Sequence, residues 1–273
     1  MRQFHQPSPI TYVILVVVIL LSAFPLYWSG VIASQTSDAV ARRPPQLIPG
    51  GELFNNIARV FEQTDFVRAL MNSFIVAGAI TFSVIIFCSL AGFAFAKLRF
   101  RGRNILLLLV IGTMMVPMQL GIIPLYIMIG QLGWAGQLPA VIVPGMVTAF
   151  GVFWMRQYIS EAVPDELIDA ARMDGSHTLG IYWHVVLPTL RPAVAVLGLL
   201  TFMTAWNDFF WPLVVLTPKT HTVQVALSAL SAGYVQDYSL ILAATVIAVL
   251  PIILVFAVLG KQIIGGIMEG AVK

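Results

Sequence analysis

The chain has 273 residues, of which 59% are hydrophobic and 10% charged, with a net charge of +3. Soluble globular domains carry about 25% charged residues, so this composition excludes a soluble enzyme or binding module and predicts an all-α integral membrane protein. The small positive excess is accounted for by basic loops beside anionic lipid headgroups, so membrane lipid rather than nucleic acid is the expected partner.

Six transmembrane helices are predicted, over about 11–33, 70–96, 105–129, 138–157, 193–216 and 240–261, each near the roughly 20 residues that a bilayer core requires. The first is too long for a signal-peptide core and is expected to be retained. The third and fourth follow from length. No residue between Arg103 and Arg156 is charged, and one helix over that stretch would run about 78 Å, more than twice a hydrocarbon core. A hairpin is required, with its turn at Gly130–Pro139, where glycines and a proline end helices and Trp134 suits an interface. Between the third and fourth spans no charge is present, whereas Lys97, Arg99, Arg101 and Arg103 crowd the preceding loop. The positive-inside rule places that basic loop and both termini in the cytoplasm. The segment 34–68 falls outside, where Arg42, Arg43, Arg59 and Arg68 balance Asp38, Glu52, Glu62 and Asp65.

The central cytoplasmic loop, 158–192, carries the most information. Pro164 suits a first helical position, and Asp165 and Glu166 complement the positive end of a helix dipole. Asp165, Asp169 and Arg172 then share one face. Gly175 suits a left-handed C-terminal cap and Ser176 the start of a second helix. Leu179, Tyr182, Trp183 and Val186 follow at helical spacing, giving that helix a bulky aromatic face. Pro188 and Pro192 limit it. Two short amphipathic helices hinged on a glycine suit docking against a soluble partner. From the residues alone, interfacial helices lying against headgroups remain an alternative.

The string Asp169-Ala170-Ala171 through Asp174-Gly175, then Leu187-Pro188 and Pro192, resembles the EAA signature of permease subunits of bacterial ABC importers. Asp169 stands where that family usually has Glu, so the charge is kept with less reach. Trp206-Asn207-Asp208 and the ending Gly270-Ala271-Val272-Lys273 are similar to the MalG-like carbohydrate branch. The resemblance covers essentially the whole chain and implies a non-enzymatic transport subunit in the bacterial inner membrane. It implies four kinds of partner or ligand contact: a second permease, a cytoplasmic ATPase dimer, an extracytoplasmic substrate-binding protein, and lipid. ATP and magnesium are then bound by the ATPase, in keeping with the lack of a phosphate-binding loop motif in this chain. The implied ATPase-coupling residues are Asp169, Ala170, Ala171, Asp174, Gly175, Tyr182, Trp183, Leu187 and Pro188, with Gly270–Lys273 as a further tail contact.

For a substrate path, an acid within a span is the first candidate. Asp208 lies past the middle of the fifth predicted span, and Trp206, Asn207 and Trp211 supply aromatic faces and polar groups suited to a sugar. An aromatic belt at the outer interface is the alternative reading of these residues. Related permeases also carry glycerol phosphate, which a negative charge in the path disfavours. Met114, Met115 and Met118 beside Pro117 read as an adaptable packing stretch with a helix irregularity. Cys88 reads as a small packing residue, and the scattered histidines show no metal-ligand spacing. An ATPase-independent carrier is a rival, although such carriers place several ionisable groups within their spans.

Overall fold

The computed structural model describes residues 8–232 and 236–271. Val272 and Lys273 of the predicted tail contact lie outside the described residues. The elements, in chain order, are α1 (Pro9–Ala33), α2 (Leu53–Gln63), α3 (Phe66–Lys97), α4 (Arg103–Thr113), α5 (Ile122–Gln131), α6 (Pro139–Gly145), α7 (Ala149–Ala162), α8 (Asp165–Met173), α9 (Thr178–Ile181), α10 (Arg191–Trp206), α11 (Phe210–Val215), α12 (Val223–Leu230) and α13 (Tyr238–Ala271). No strand occurs among the described residues. Two compact units are distinguishable by their internal contacts, one comprising the chain up to Phe66 with Leu227–Leu250, the other Val67–Ala226 with the chain from Pro251.

Four helical stretches are long and apolar enough to cross a bilayer, namely Pro9–Ala33, Phe66–Lys97, Pro139–Ala162 and Tyr238–Val258. Two bent pairs raise the number to six if each serves as one span. The first of these bends falls beside Pro117, where the sequence predicts a helix irregularity. In the third span, α4 and the stretch Met118–Gln131 meet at 92°, because Pro117 removes a backbone donor and Met114–Val116 leave the helix. Met115 and Met118 there are largely exposed, not packed as the sequence suggested. The second bend, of 80°, lies between Thr178–Thr189 and Arg191–Trp206, and farther along the fifth predicted span the helix stops at Trp206 and resumes at Phe210. Asp208 therefore lies in a break in the helix, not on a continuous face.

In the first unit, the segment 34–68, expected as loop, contains α2. Asn56 of α2 is buried and donates to the carbonyls of Ala33 and Gln35 at 2.9 and 2.8 Å, which ties α2 to the end of α1. Of the charges in this segment, Arg42 pairs with Asp38 at 2.9 Å, and Arg59 pairs with Asp237, far along the chain, at 2.6 Å. Burial opposes ionisation of Asp237, but hydrogen bonds from Ser239 and Arg59 outweigh it and hold the carboxyl below its ordinary range.

In the second unit, α3 is the axis of a buried core that includes Val76, Val84, Cys88, Phe93, Val152, Met155, Ile159, Tyr182 and Leu197. Small residues let α3 approach its neighbours. A Cβ on Gly92 would stand 2.7 Å from Met155 Cβ and 2.8 Å from the Arg156 backbone nitrogen, so α3 and α7 touch nearly backbone to backbone. One turn before Gly92, Cys88 is fully buried and its thiol lies 3.5 Å from the Thr148 carbonyl, in keeping with the packing role expected of it. The predicted turn after α5 has Gly133 and Gly136 at φ +69° and +79°. Gly136 N–H donates to Val215 O at 2.8 Å, and Thr220 Oγ1 donates back to Gly136 O at 2.9 Å, which pins the turn to the end of α11.

Candidate functional site

The 158–192 loop forms around one left-handed residue. Helix α8 begins after Pro164 with Asp165 and Glu166 in its first turn, as the dipole favours. Asp174 caps its end and Gly175 follows at φ +79°. The Gly175 N–H donates to Arg172 O and the Ser176 N–H to Ala171 O, each at 3.0 Å. These are the two bonds of a Schellman cap, which satisfies orphan carbonyls and reverses the chain. His177, not Ser176, occupies the cap position of α9, and makes no side-chain cap bond. From Tyr182 to Val186 the backbone widens into one turn of π-helix. The extra residue in that turn explains why the expected aromatic face does not form. Ile181, Tyr182, Val186 and Leu190 face inward and are buried, whereas Leu179 and Trp183 remain about half exposed.

The coupling residues implied by the resemblance separate accordingly. Asp169, Ala170, Asp174, Gly175, Trp183 and Pro188 are exposed, while Ala171 and Leu187 are half-buried. Asp169 accepts only a surface hydrogen bond from Arg172 at 3.2 Å, a kind of pair worth about 0–1 kcal/mol and easily exchanged. Tyr182 is fully buried, and burial lifts its hydroxyl above the ordinary value, so it stays a neutral donor. Sequence reasoning missed Met173, 88% exposed beside the hinge, because a lone methionine in a charged helix carries no periodic signal. It also missed Lys97, whose ammonium lies 2.6 Å from Asp165 Oδ1. That hydrogen bond, with the Lys97 charge, holds the Asp165 carboxyl below its usual range.

The substrate-path quartet divides in two. Asp208 and Trp211 line a cavity of about 680 Å³ together with Thr148, Thr201, Thr204 and Gln119 on an otherwise apolar wall. Trp211 Nε1–H donates to Ala140 O at 3.0 Å, which fixes the indole. Asp208 precedes α11, with its carboxyl near the first backbone N–H groups of that helix, those of Phe210 and Trp211. Trp206 does not line that cavity. It is fully buried, stacked on Phe202 at 5.6 Å and edge-on to Phe74 at 4.9 Å. Asn207 ends α10, donating to Met203 O at 2.8 Å and accepting from Gln224 at 3.3 Å. Gly270 and Ala271 are the last described residues of α13.

Residues 88–264 match the family described as the binding-protein-dependent transport system inner membrane component. The lactose transport system permease protein LacG of Rhizobium radiobacter is 33% identical over 98% of this chain and 97% of its own length. The arabinooligosaccharides transport system permease protein AraQ of Bacillus subtilis is 34% identical over 76% of this chain and 74% of its own. The sn-glycerol-3-phosphate transport system permease protein UgpE of Yersinia pestis is 30% identical over 94% and 95%. Among solved structures, a chain in the crystal structure of a bacterial ABC transporter involved in import of the acidic polysaccharide alginate superposes with a TM-score of 0.80 at 25% identity, covering 92% of this chain and 94% of that one. The hinged loop, the apolar helices and these matches agree, and the chain belongs to the binding-protein-dependent transport system inner membrane component family, the permeases of ABC importers.

Proposed function

We propose that this chain forms, with a second permease, the translocation path for a sugar or sugar derivative, crossing the membrane six times with both termini and the 158–192 loop in the cytoplasm. An extracytoplasmic binding protein delivers the substrate, and a cytoplasmic ATPase dimer binds ATP and magnesium and drives the cycle. This subunit performs no chemistry of its own. The observation that carries the reading is the Schellman-capped hinge at Gly175, flanked by exposed Met173, Leu179 and Trp183 and by Asp169 and Asp174. An apolar contact rimmed by acids suits a soluble partner with a complementary basic rim. Closure of the ATPase dimer then displaces the loop and biases the permease between inward- and outward-facing states.

The test is purification in mild detergent from the native membrane. An ATPase and a second permease are expected to accompany this chain, and Asp169→Lys is expected to release the ATPase. A chain that emerges alone, or an Asp169→Lys variant that keeps its ATPase, would refute docking through this loop.

Carbohydrate is favoured as substrate by the lactose and arabinooligosaccharide permeases among the relatives. A phosphorylated polyol is the second reading, supported by the glycerol-phosphate relative and disfavoured by Asp208, which adds negative charge to the cavity wall. In the carbohydrate reading, Asp208 accepts hydroxyls and Trp211 offers a ring face. Asp208→Ala is expected to lower uptake at least about tenfold, since a lost hydrogen bond to a charged group is worth about 1.5–3 kcal/mol. Uptake of radiolabelled sugar by reconstituted complexes checks this, and an unchanged rate would remove Asp208 from the path.

A further inference from the structure

We propose that Lys97 and Ser89 of α3 are positioning residues for energy coupling, clamping the 158–192 loop to α3 at two points so that loop and helix move as one piece. This rests on the coupling role proposed above for the loop.

The two points lie on one stripe. Ser89, Phe93 and Lys97 are spaced i, i+4, i+8, which aligns them along a single ridge of a helix. At one end, the Lys97 side chain is only 7% exposed, and its ammonium meets Asp165, the first residue of α8, whose own side chain is 78% exposed. A lysine closing an apolar helix ordinarily extends its ammonium toward headgroups and water. Here the stem is covered by the protein and the charge is delivered onto α8. At the other end, Ser89 Oγ stands 2.7 Å from the Tyr182 hydroxyl, and both residues are fully buried. Ser89 also donates to the Ile85 carbonyl of its own helix, leaving its lone pairs to accept from Tyr182. Between the two, the Phe93 ring packs 5.9 Å from that of Tyr182.

The contacts are about 12 Å apart along the helix axis. A single contact would let the loop pivot, whereas two at that separation hold its orientation too. The covalent chain joins the loop directly to α7 and α10 but not to α3. Without the clamp, a push on α8 would reach α3 only through the packing of α3 against its neighbours. The π-turn has a purpose in this scheme, because the widened backbone is what aims Tyr182 at Ser89 while Trp183 stays outside.

The test uses the complete importer in proteoliposomes, with uptake and ATP hydrolysis measured together and bound ATPase quantified. Lys97→Glu is expected to keep its ATPase and to lose about tenfold in substrate carried per ATP hydrolysed, within the usual range of coupling energies. Combining it with Asp165→Lys is expected to restore most of that ratio, and Tyr182→Phe to reduce it by about threefold. Lys97→Met, which keeps the apolar stem without the charge, serves if the reversed charge prevents assembly, and is expected to show the same loss. A ratio within twofold of wild type for Lys97→Met, or no recovery in the charge-swapped pair, overturns the clamp. The coupling reading fails separately, if Asp169→Lys retains its ATPase in the same preparation.

Discussion

Gly175→Val is expected to lower uptake by more than tenfold while the chain still inserts in the membrane. Gly175 sits at φ +79°, where an L-residue costs about 1–2 kcal/mol and a β-branched one more. Nothing lies within 4 Å of the position a Cβ would take, so the penalty is conformational and not steric. To relieve it, the chain must leave the left-handed region, and both Schellman bonds go with it. The angle between α8 and α9 is then no longer held, and the exposed surface of Met173, Leu179 and Trp183 loses its shape. The loss is recorded as uptake by reconstituted complexes, with membrane content followed by immunoblot. Gly175→Asn discriminates between conformation and side-chain size, because asparagine tolerates the left-handed region. It is expected to transport at close to the wild-type rate. Equal loss in both variants would show that the glycine's backbone freedom is not what matters.

Gly92→Ala is expected to destabilise the protein by about 1–3 kcal/mol, the range for an extra methyl group forced into a packed interface. The new Cβ would lie 2.7 Å from Met155 Cβ and 2.8 and 2.9 Å from the backbone N of Arg156 and C of Met155. Carbon atoms prefer about 3.5–4.0 Å. Two of the three obstructing atoms are backbone, so no rotamer change relieves the clash and α7 itself must withdraw from α3. Gly78, on the same helix, has nothing within 4 Å of its would-be Cβ, and Gly78→Ala is expected to be neutral or stabilising by up to about 1 kcal/mol through helix propensity. The melting temperature in detergent should therefore fall for Gly92→Ala and hold or rise for Gly78→Ala. A Gly92→Ala protein as stable as wild type would contradict the close approach of α3 and α7.

Both glycines bear on how much of the molecule was legible beforehand. The hinge at Gly175 was readable because a helix cap is a local event: an acidic first turn, a closing glycine and a short reach of chain specify it. Gly92 was not readable, because an apolar helix with a glycine looks the same whether that glycine faces lipid, as open space, or a second backbone. The break in the fifth predicted span was not readable for a related reason. Asn207-Asp208 is a short polar interruption in an otherwise apolar run, and a window average does not distinguish a helical residue there from one in a break. Asp208 was noticed as an acid in a span, yet the break that lets it line a cavity was visible only in the folded chain. Irregular backbone at membrane depth is tolerated where it borders such a cavity.

Trp206 and Tyr182 show the same division. Trp206 is buried away from the cavity that Asp208 lines, and Tyr182 is buried while Trp183, packed edge-on against it at 5.1 Å, stays about half exposed. Composition and charge placement settled the membrane class, the basic loop and the hinged loop, because burial in lipid and local capping act on residues close together in the chain. The pairing of Lys97 with Asp165, of Ser89 with Tyr182 and of Gly92 with Met155 arises between residues more than sixty positions apart. Such contacts depend on which helix ridges face each other, a property of the packed arrangement and not of any one segment.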